Sequence, residues 1–323
     1  MPILTKDFPS LTDDLQSIFN EAAKNKVADM KGNKIFNVFD TNRLTYDHLI
    51  LHGVAGIQRV AEGADLPKLT GEEGDSITYT QQYYGAIVGV TKKMRKFDLY
   101  DQISQLPKTL ADDAFDKIDQ SLADVLLNGF SASNYTDVYG VSVSAVGPDG
   151  LALFSTSHTN NLNSNTFSNI ITSNPVLSRT AIVTARKQGL VHKDPNGINR
   201  PINLDTLVVA PSNEDLAERI LYSQLMSGTG NNDINALKGK IKTVIVWPRL
   251  ETRTGGTDTS AYWFMLDSSK VGESLKCLFA ERPTLDAPEE VYTNKNWDYS
   301  CDFYYAIGKG YPAYVFGSNA SGS

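Results

Sequence analysis

Two histidines stand four apart in "DHLILH", at His48 and His52. On a helix that spacing turns both imidazoles toward one metal ion. The stretch reads at least as well as a strand, and no third ligand is near, so we expect a partly buried pair and no metal. His158, in "DGLALFSTSHTNN", sits among serines that suggest a Ser–His nucleophile. Such a serine normally stands on a G-x-S-x-G elbow. None is present, and a structural loop histidine is expected. Asp112, Asp113, Asp116 and Asp119 crowd one helical segment, and Asp112, Asp116 and Asp119 share a face. That pattern suits a cation or acid–base pair, but a solvated helix face is the ordinary explanation. A phosphate loop wants glycines between strand and helix. The junction "APSNED" has none and puts two acids at the helix start, while "SGTGNND" follows a helix. The basic run "KKMRK" (Lys92, Lys93 and Arg95 among it) is too short for nucleic-acid specificity. Its expected use is to pair with the acidic "GEEGD" (Glu72, Glu73) of a neighbouring copy. No catalytic, cofactor or metal site is expected; contact surface is.

The elements that position these residues come from an ordinary globular chain. It has 323 residues, 41% hydrophobic and 21% charged, enough for one large domain or two sharing a core. A net charge of −7 argues against general affinity for DNA or an anionic membrane. Two cysteines, Cys277 and Cys301, lack metal-ligand spacing and suit a reducing compartment. The opening "MPILTKDFPSLTDDLQ" has no basic-then-apolar pattern, and no window approaches a membrane span. A soluble protein made in the cytoplasm is expected.

Residues 11–28 carry Leu11, Leu15, Ile18, Phe19 and Ala22 at helical spacing and read as an arm that docks on something else. The clearest helix is expected over 106–128, with Pro107 in its first turn and Gly129 as its stop. Leu110, Phe115, Ile118, Leu122 and Leu126 form its packing stripe. Residues 131–175, rich in Ser, Asn, Thr and Gly, are expected as loops laid over that helix. An α/β alternation follows: helix 178–190, strand 205–212, helix 212–228 capped by Ser212, strands 240–248 and 261–267. Two more strands are expected over 298–317, around "GKG".

Between arm and helix lies "LTGEEGDSITYTQQYYGAIVGVTKKMRKF" (69–97). It reads as one long strand whose alternation changes phase near Tyr83–Tyr84. Tyr79, Tyr83 and Ile87 fall on one face and Tyr84, Ala86, Val88 and Val90 on the other. Fifteen extended residues reach about 50 Å. A two-stranded ribbon of that length is marginal in water and its edges are adhesive. Residues 54–96 are therefore expected to find their burial on another molecule.

This order of parts resembles the major capsid proteins of tailed bacteriophages, with the Hong-Kong-ninety-seven-type α+β fold. The phrases "DGLALFSTSH" (149–158) and "LKGKIKTVIVWPRL" (237–250) are most similar to the Mu-type major head subunit branch. The resemblance implies an N-terminal arm (1–48), an extended β-hairpin loop (49–97) and a peripheral domain (98–177) with spine helix 106–128. An axial α/β domain (178–280), return strands (281–310) and a C-terminal strand and tail (311–323) would follow. It implies a self-assembling structural protein, not an enzyme, forming hexamers and pentamers of an icosahedral shell around double-stranded DNA. The DNA would be enclosed, not read by sequence, and a negative shell would let it move. Implied partners are identical subunits, a portal and a decoration protein, with no membrane. Many relatives begin with a scaffolding segment; this sequence reaches the arm at once, so a separate scaffolding protein, or none, is expected. Assembly through a procapsid in the host bacterial cytoplasm, and a place in the virion capsid, follow. Lys68 and Asn319 are the positional candidates for covalent cross-linking. The alternatives are an encapsulin-type nanocompartment, an oligomeric α/β enzyme carried by 178–267, and a tail or portal component.

Overall fold

The computed structural model describes residues 8–52, 57, 59–63, 65–66, 68, 72–97, 102–160, 163–194, 197–225 and 234–322. In chain order, helix α1 (Phe8–Asp29) leads into strands β1 (Asn37–Asp40), β2 (Thr45–His52), β3 (Glu72–Thr80) and β4 (Gln82–Val90). A short α2 (Lys92–Lys96) and the long α3 (Gln102–Leu127) follow, then short strands β5 (Tyr135–Thr136), β6 (Ser142–Val143), β7 (His158–Asn160) and β8 (Asn163–Phe167). Next come α4 (Arg179–Leu190), β9 (Thr206–Val209), α5 (Glu214–Tyr222), β10 (Thr243–Val246) and β11 (Trp263–Leu266). The chain closes with α6 (Val271–Ser274), β12 (Leu275–Leu285), β13 (Glu289–Glu290), β14 (Trp297–Lys309) and β15 (Val315–Ser318). The chain divides into two compact units, residues 1–46, 80–122 and 277–308 in the first and 47–79, 123–276 and 309–323 in the second.

The first unit is a sheet covered by helices. Strand β12 lies between β1 and β14, and β13 and β4 both pair with β14. Leu15, Phe19 and Ala22 of α1 and Ile103 and Ala111 of α3 pack on Val90, Leu285, Tyr299 and Cys301 of the sheet. Burying such side chains, at roughly 1.5–3 kcal/mol each, is what holds helices on a sheet face. α1 is therefore not an arm that waits for an outside partner: its apolar stripe is part of this unit's own core. Lys26 of α1 reaches Asp116 of α3 at 3.2 Å.

The second unit is built on the sheet β10-β9-β11-β15. Strands β9 and β10 run parallel, and β11 is antiparallel to β9 and to β15. Every residue of β9, β11 and β15 is buried, as expected for short apolar strands enclosed on both faces. Leu207, Val209, Trp263, Met265 and Phe316 carry α4 and α5 through Ile182, Ala185, Ala217 and Leu221.

Four expectations change. Within 69–97, Glu72–Thr80 and Gln82–Val90 are two strands and Lys92–Lys96 a short helix, in place of the one long strand expected. Gln81 breaks it, its N–H bonded to the Leu44 carbonyl at 2.9 Å. On one side β3 pairs with β2 as a hairpin; on the other β4 pairs with β14, Gln82 opposite Tyr305 through Val90 opposite Trp297. The change of phase is real, but it marks a strand leaving one sheet for another. Residues 82–90 thus pair one edge within the chain, with β14, and the loop assigned to 49–97 shortens at its end. The long helix begins at Gln102, ahead of Pro107; a proline six residues in forfeits one i→i−4 bond without ending the helix. Residues 123–177, placed with 98–122 by sequence, group with the second unit, because Phe130 and Phe154 stack on each other and on Phe264 of β11. Ser212 does not cap α5: that helix starts at Glu214, and the Ser212 hydroxyl is taken by Glu251.

Candidate inter-subunit surface

The residues singled out by sequence divide by burial. Tyr79, on β3, is 4% exposed, so it lies off the outer face assigned to it. Tyr83 and Ile87, on β4, are 59% and 71% exposed. On β4 Tyr84, Val88 and Val90 are covered and the odd positions exposed, the period-2 rule of a half-buried strand, while Ala86, expected on the face of Tyr84, is exposed. Tyr83 meets Tyr304 across the strand pair at 4.7 Å between ring centroids. Its hydroxyl donates to Asp302 Oδ2 at 3.2 Å, and that bond, with the carboxylate's charge, holds the phenol's pKa above its ordinary value. Lys92 and Lys93 are exposed on α2, whose start is fixed by Thr91 accepting from the Met94 amide at 3.2 Å. Glu72 and Glu73 are the first residues of β3, and Arg95 is in α2; the side chains of all three lie outside the described residues.

Beyond the β2–β3 pair, every described residue from 57 to 68 is exposed except half-buried Val60. Ile57 is 94% and Leu66 79% exposed. Isolated surface leucines are ordinary; two nearly bare aliphatics on one projecting segment leave a surface for another molecule to cover. Lys68 lies on this segment and Asn319 next to β15. The packing stripe of α3 points inward: Ile118, Leu122 and Leu126 are 0% and Phe115 7% exposed, and Leu110 is half-buried.

The chemistry-bearing residues are absorbed into structure. Asp112 and Asp116 both reach Lys26, at 3.7 and 3.2 Å, and Asp119, 7% exposed, accepts from the Gly32 amide at 3.1 Å. The acidic face is thus solvated only in part: Asp112 and Asp116 keep 36% and 43% of their side chains exposed while they meet Lys26 of α1, and Asp119 holds the turn after it. His48 lies on β2 with its ring 3.8 Å from Glu273; burial first, then Lys276, lowers its pKa. The side chain of His52 is outside the described residues. Among the described residues no cluster of three or more His, Cys, Asp or Glu is placed to hold a metal. Cys277 and Cys301 are free and buried, their thiols pushed up to about 12 by desolvation. One apolar cavity in the first unit, about 10 Å³ between Leu15, Ile103, Leu110 and Tyr299, has room for a single water at most.

Two polar networks escaped the sequence reading. His158, 1% exposed, joins Asp149 through Nδ1 at 2.6 Å and Asn169 Oδ1 through Nε2 at 3.0 Å. Asn169 in turn donates to the carbonyls of Leu153, Pro312 and Val315 at 2.7, 3.0 and 3.2 Å. Asp124, fully buried on α3, accepts from the amide and the hydroxyl of Thr254. The legible signal was in "SLADVLL": a helix turn apolar all round except for one acid has that acid inside, and a buried carboxylate needs donors.

A model of the family described as phage capsid protein matches residues 73–316. No curated protein matches this chain. Among solved structures, the capsid of the cyanophage P-SCSP1u superposes with a TM-score of 0.57 at 11% identity, covering 90% of this chain and 87% of that one. The capsid of Ralstonia phage GP4 gives 0.55 at 11%, covering 88% and 86%. The capsid of an empty GTA particle gives 0.55 at 10%, covering 90% and 89%. At such identities the likeness is one of fold: an α+β chain of the Hong-Kong-ninety-seven type.

Proposed function

We propose, from the premise that this chain belongs to the phage capsid protein family and is a major structural protein of the phage head, that its copies form hexameric and pentameric capsomers of an icosahedral shell around double-stranded DNA. The observation that carries this reading is the β2–β3 hairpin with its exposed segment: Ile57 and Leu66 have no cover in the chain. In a shell the hairpin lies on the adjacent subunit and buries them there. Each contact is weak, and many identical contacts on a closed symmetric surface add. Modest contacts also let misplaced subunits leave before closure.

The family favours a phage head over an encapsulin-type compartment and supports a structural role; on this proposal the chain carries out no catalysis. Within the family, "DGLALFSTSH" and "LKGKIKTVIVWPRL" support kinship with the Mu-type branch. A separate scaffolding protein, a portal and a decoration protein complete the proposed set of partners, with assembly in the host cytoplasm. Electron microscopy of the expressed, purified chain tests the reading. Closed shells, or six- and five-membered rings, are expected; a discrete compact dimer would sink it.

A further inference from the structure

The second unit carries two helix faces of opposite charge at opposite edges of its sheet. Strands β9 and β10 are parallel neighbours, so the helix connecting them, α5, crosses over that pair, and β10 is the last strand on its side. The other edge is β15. The segment before α4 runs along it: Ile170 bridges Gly317, and the Pro175 carbonyl accepts from Ser318 Oγ at 2.8 Å. α4 is tied to that segment by Gln188, whose amide donates to the Ile170 carbonyl at 2.8 Å. Both helices lie on one sheet face, yet each borders a different edge.

Their outward faces are complementary. α4, "RTAIVTARKQGL", has Arg179, Arg186 and Lys187 and no acid. Spacings of three and four align Arg179, Val183, Arg186 with Lys187, and Leu190 along one stripe. Val183, Leu190 and the adjoining Val191 are 42%, 46% and 57% exposed. Arg179 and Arg186 are half-buried, their Nε atoms buried with no hydrogen-bond partner among the described residues, and Lys187 is exposed. α5, "EDLAERILY", carries Glu214, Asp215 and Glu218, and its one arginine, Arg219, is spent on Asp215. Glu214, Glu218 and Tyr222 form its stripe, four apart. Tyr222 is 54% exposed, and Leu225 and Ile234 beyond it are 46% and 81%. Each face joins charges of one sign to bare apolar residues, and neither suits a copy of itself, since like charges would meet. A contact between two different faces of one chain is heterologous, and heterologous contacts that close make rings.

We infer that the α4 face of one copy docks on the α5 face of the next, Arg186 and Lys187 against Glu214 and Glu218, with Val183, Leu190 and Val191 against Tyr222, Leu225 and Ile234. The occupant is a second copy of this chain. The inference rests on the ring-forming reading above and adds which surfaces meet.

Charge reversal tests it. R186E/K187E makes both faces acidic, and E214K/E218K makes both basic. Each variant alone should lose ring formation at least tenfold by native mass spectrometry, with unchanged circular dichroism. An equimolar mixture should recover rings in which the two variants alternate, so six-membered rings return and five-membered ones do not. All four substitutions in one chain should restore both. Variants that assemble like the unmodified protein, or a mixture that stays unassembled or closes odd rings, overturn the assignment while the ring-forming reading stands. An unmodified chain that makes neither rings nor shells fails that reading itself. Should a reversed variant not fold, the unmodified rings supply the second measure. Raising salt from 0.05 to 1 M should weaken them at least tenfold, and insensitivity to salt overturns the proposal.

Discussion

Asp124 shows how much a single buried carboxylate holds. It has no exposed surface, and it accepts from the Thr254 amide at 3.1 Å and from the same residue's hydroxyl. Asp124→Ala would leave that amide without its acceptor, at about 1–3 kcal/mol, and thermal unfolding should drop by several degrees; an unchanged midpoint would mean water replaces the carboxylate. His192 makes a pH prediction. Desolvation pushes its pKa down from 6.5 to about 4 despite Asp194 nearby, and its ring sits edge-on to Phe167 at 4.9 Å. Between pH 4 and 6.5 the unfolded chain binds the proton and the folded chain does not. Stability therefore rises with pH across that window and is lost as pH falls through it, by about 3 kcal/mol in full. His192→Gln should flatten that part of the stability curve, measured by urea unfolding at pH 4.5 and 7; the same slope in both proteins would assign it elsewhere. Lys309, pushed down to about 8 by burial, keeps a 2.6 Å bond from Nζ to the Ser144 carbonyl, the least a buried ammonium requires.

At the scale of elements, α1 departs from the sequence reading. α1 belongs to a core: Phe19 is fully buried beside Leu15 and Ala22. Phe19→Ala should cost about 3–5 kcal/mol, read as a lower urea midpoint of the unassembled subunit, whereas an arm docked on another molecule would show the loss only on assembly. The turn after α1 is as tight. A methyl group at Gly32 would overlap Leu122 Cδ1 and crowd Asp119 Oδ1 at 3.2 Å. The hairpin makes the opposite prediction. Asp75 and Tyr79 of β3 are buried, so a deletion must spare β3; replacing residues 57–68, whose described members are exposed apart from half-buried Val60, by a short turn tests that segment alone. The product should stay monomeric, soluble and as stable as the parent, and should form no shells in the microscope. Loss of folding would show that the segment serves its own subunit.

For the whole molecule, charge and repetition act together. With 37 acidic against 30 basic residues, the chain has no excess of positive charge to drive the counterion release of non-specific DNA binding. Gel-shift assays at about 50 mM salt should show no retention of duplex DNA by the free subunit; retention would point to a concentrated basic surface inside the shell. In the proposed shell, a lining that repels phosphate would leave enclosed DNA mobile, and weak contacts repeated by symmetry would supply its strength.

Local pattern alone carried a good deal. The helical periods around Leu110–Leu126 and over 178–190 and the apolar runs within 205–212 and 261–267 are short-range signals, fixed by backbone sterics and side-chain burial within a few turns. From the order of those elements came the fold class and the capsid family. What lay beyond local pattern was pairing at a distance. β4 and β14 are more than two hundred residues apart, and no periodicity says which edge will accept a strand. The same holds for Asp119 with Gly32, Asp124 with Thr254 and His158 with Asn169. Sequence marks these residues as polar; whether each faces water or a buried donor is decided only when distant segments pack, because the cost of burying charge is met by whatever partner the fold brings within reach.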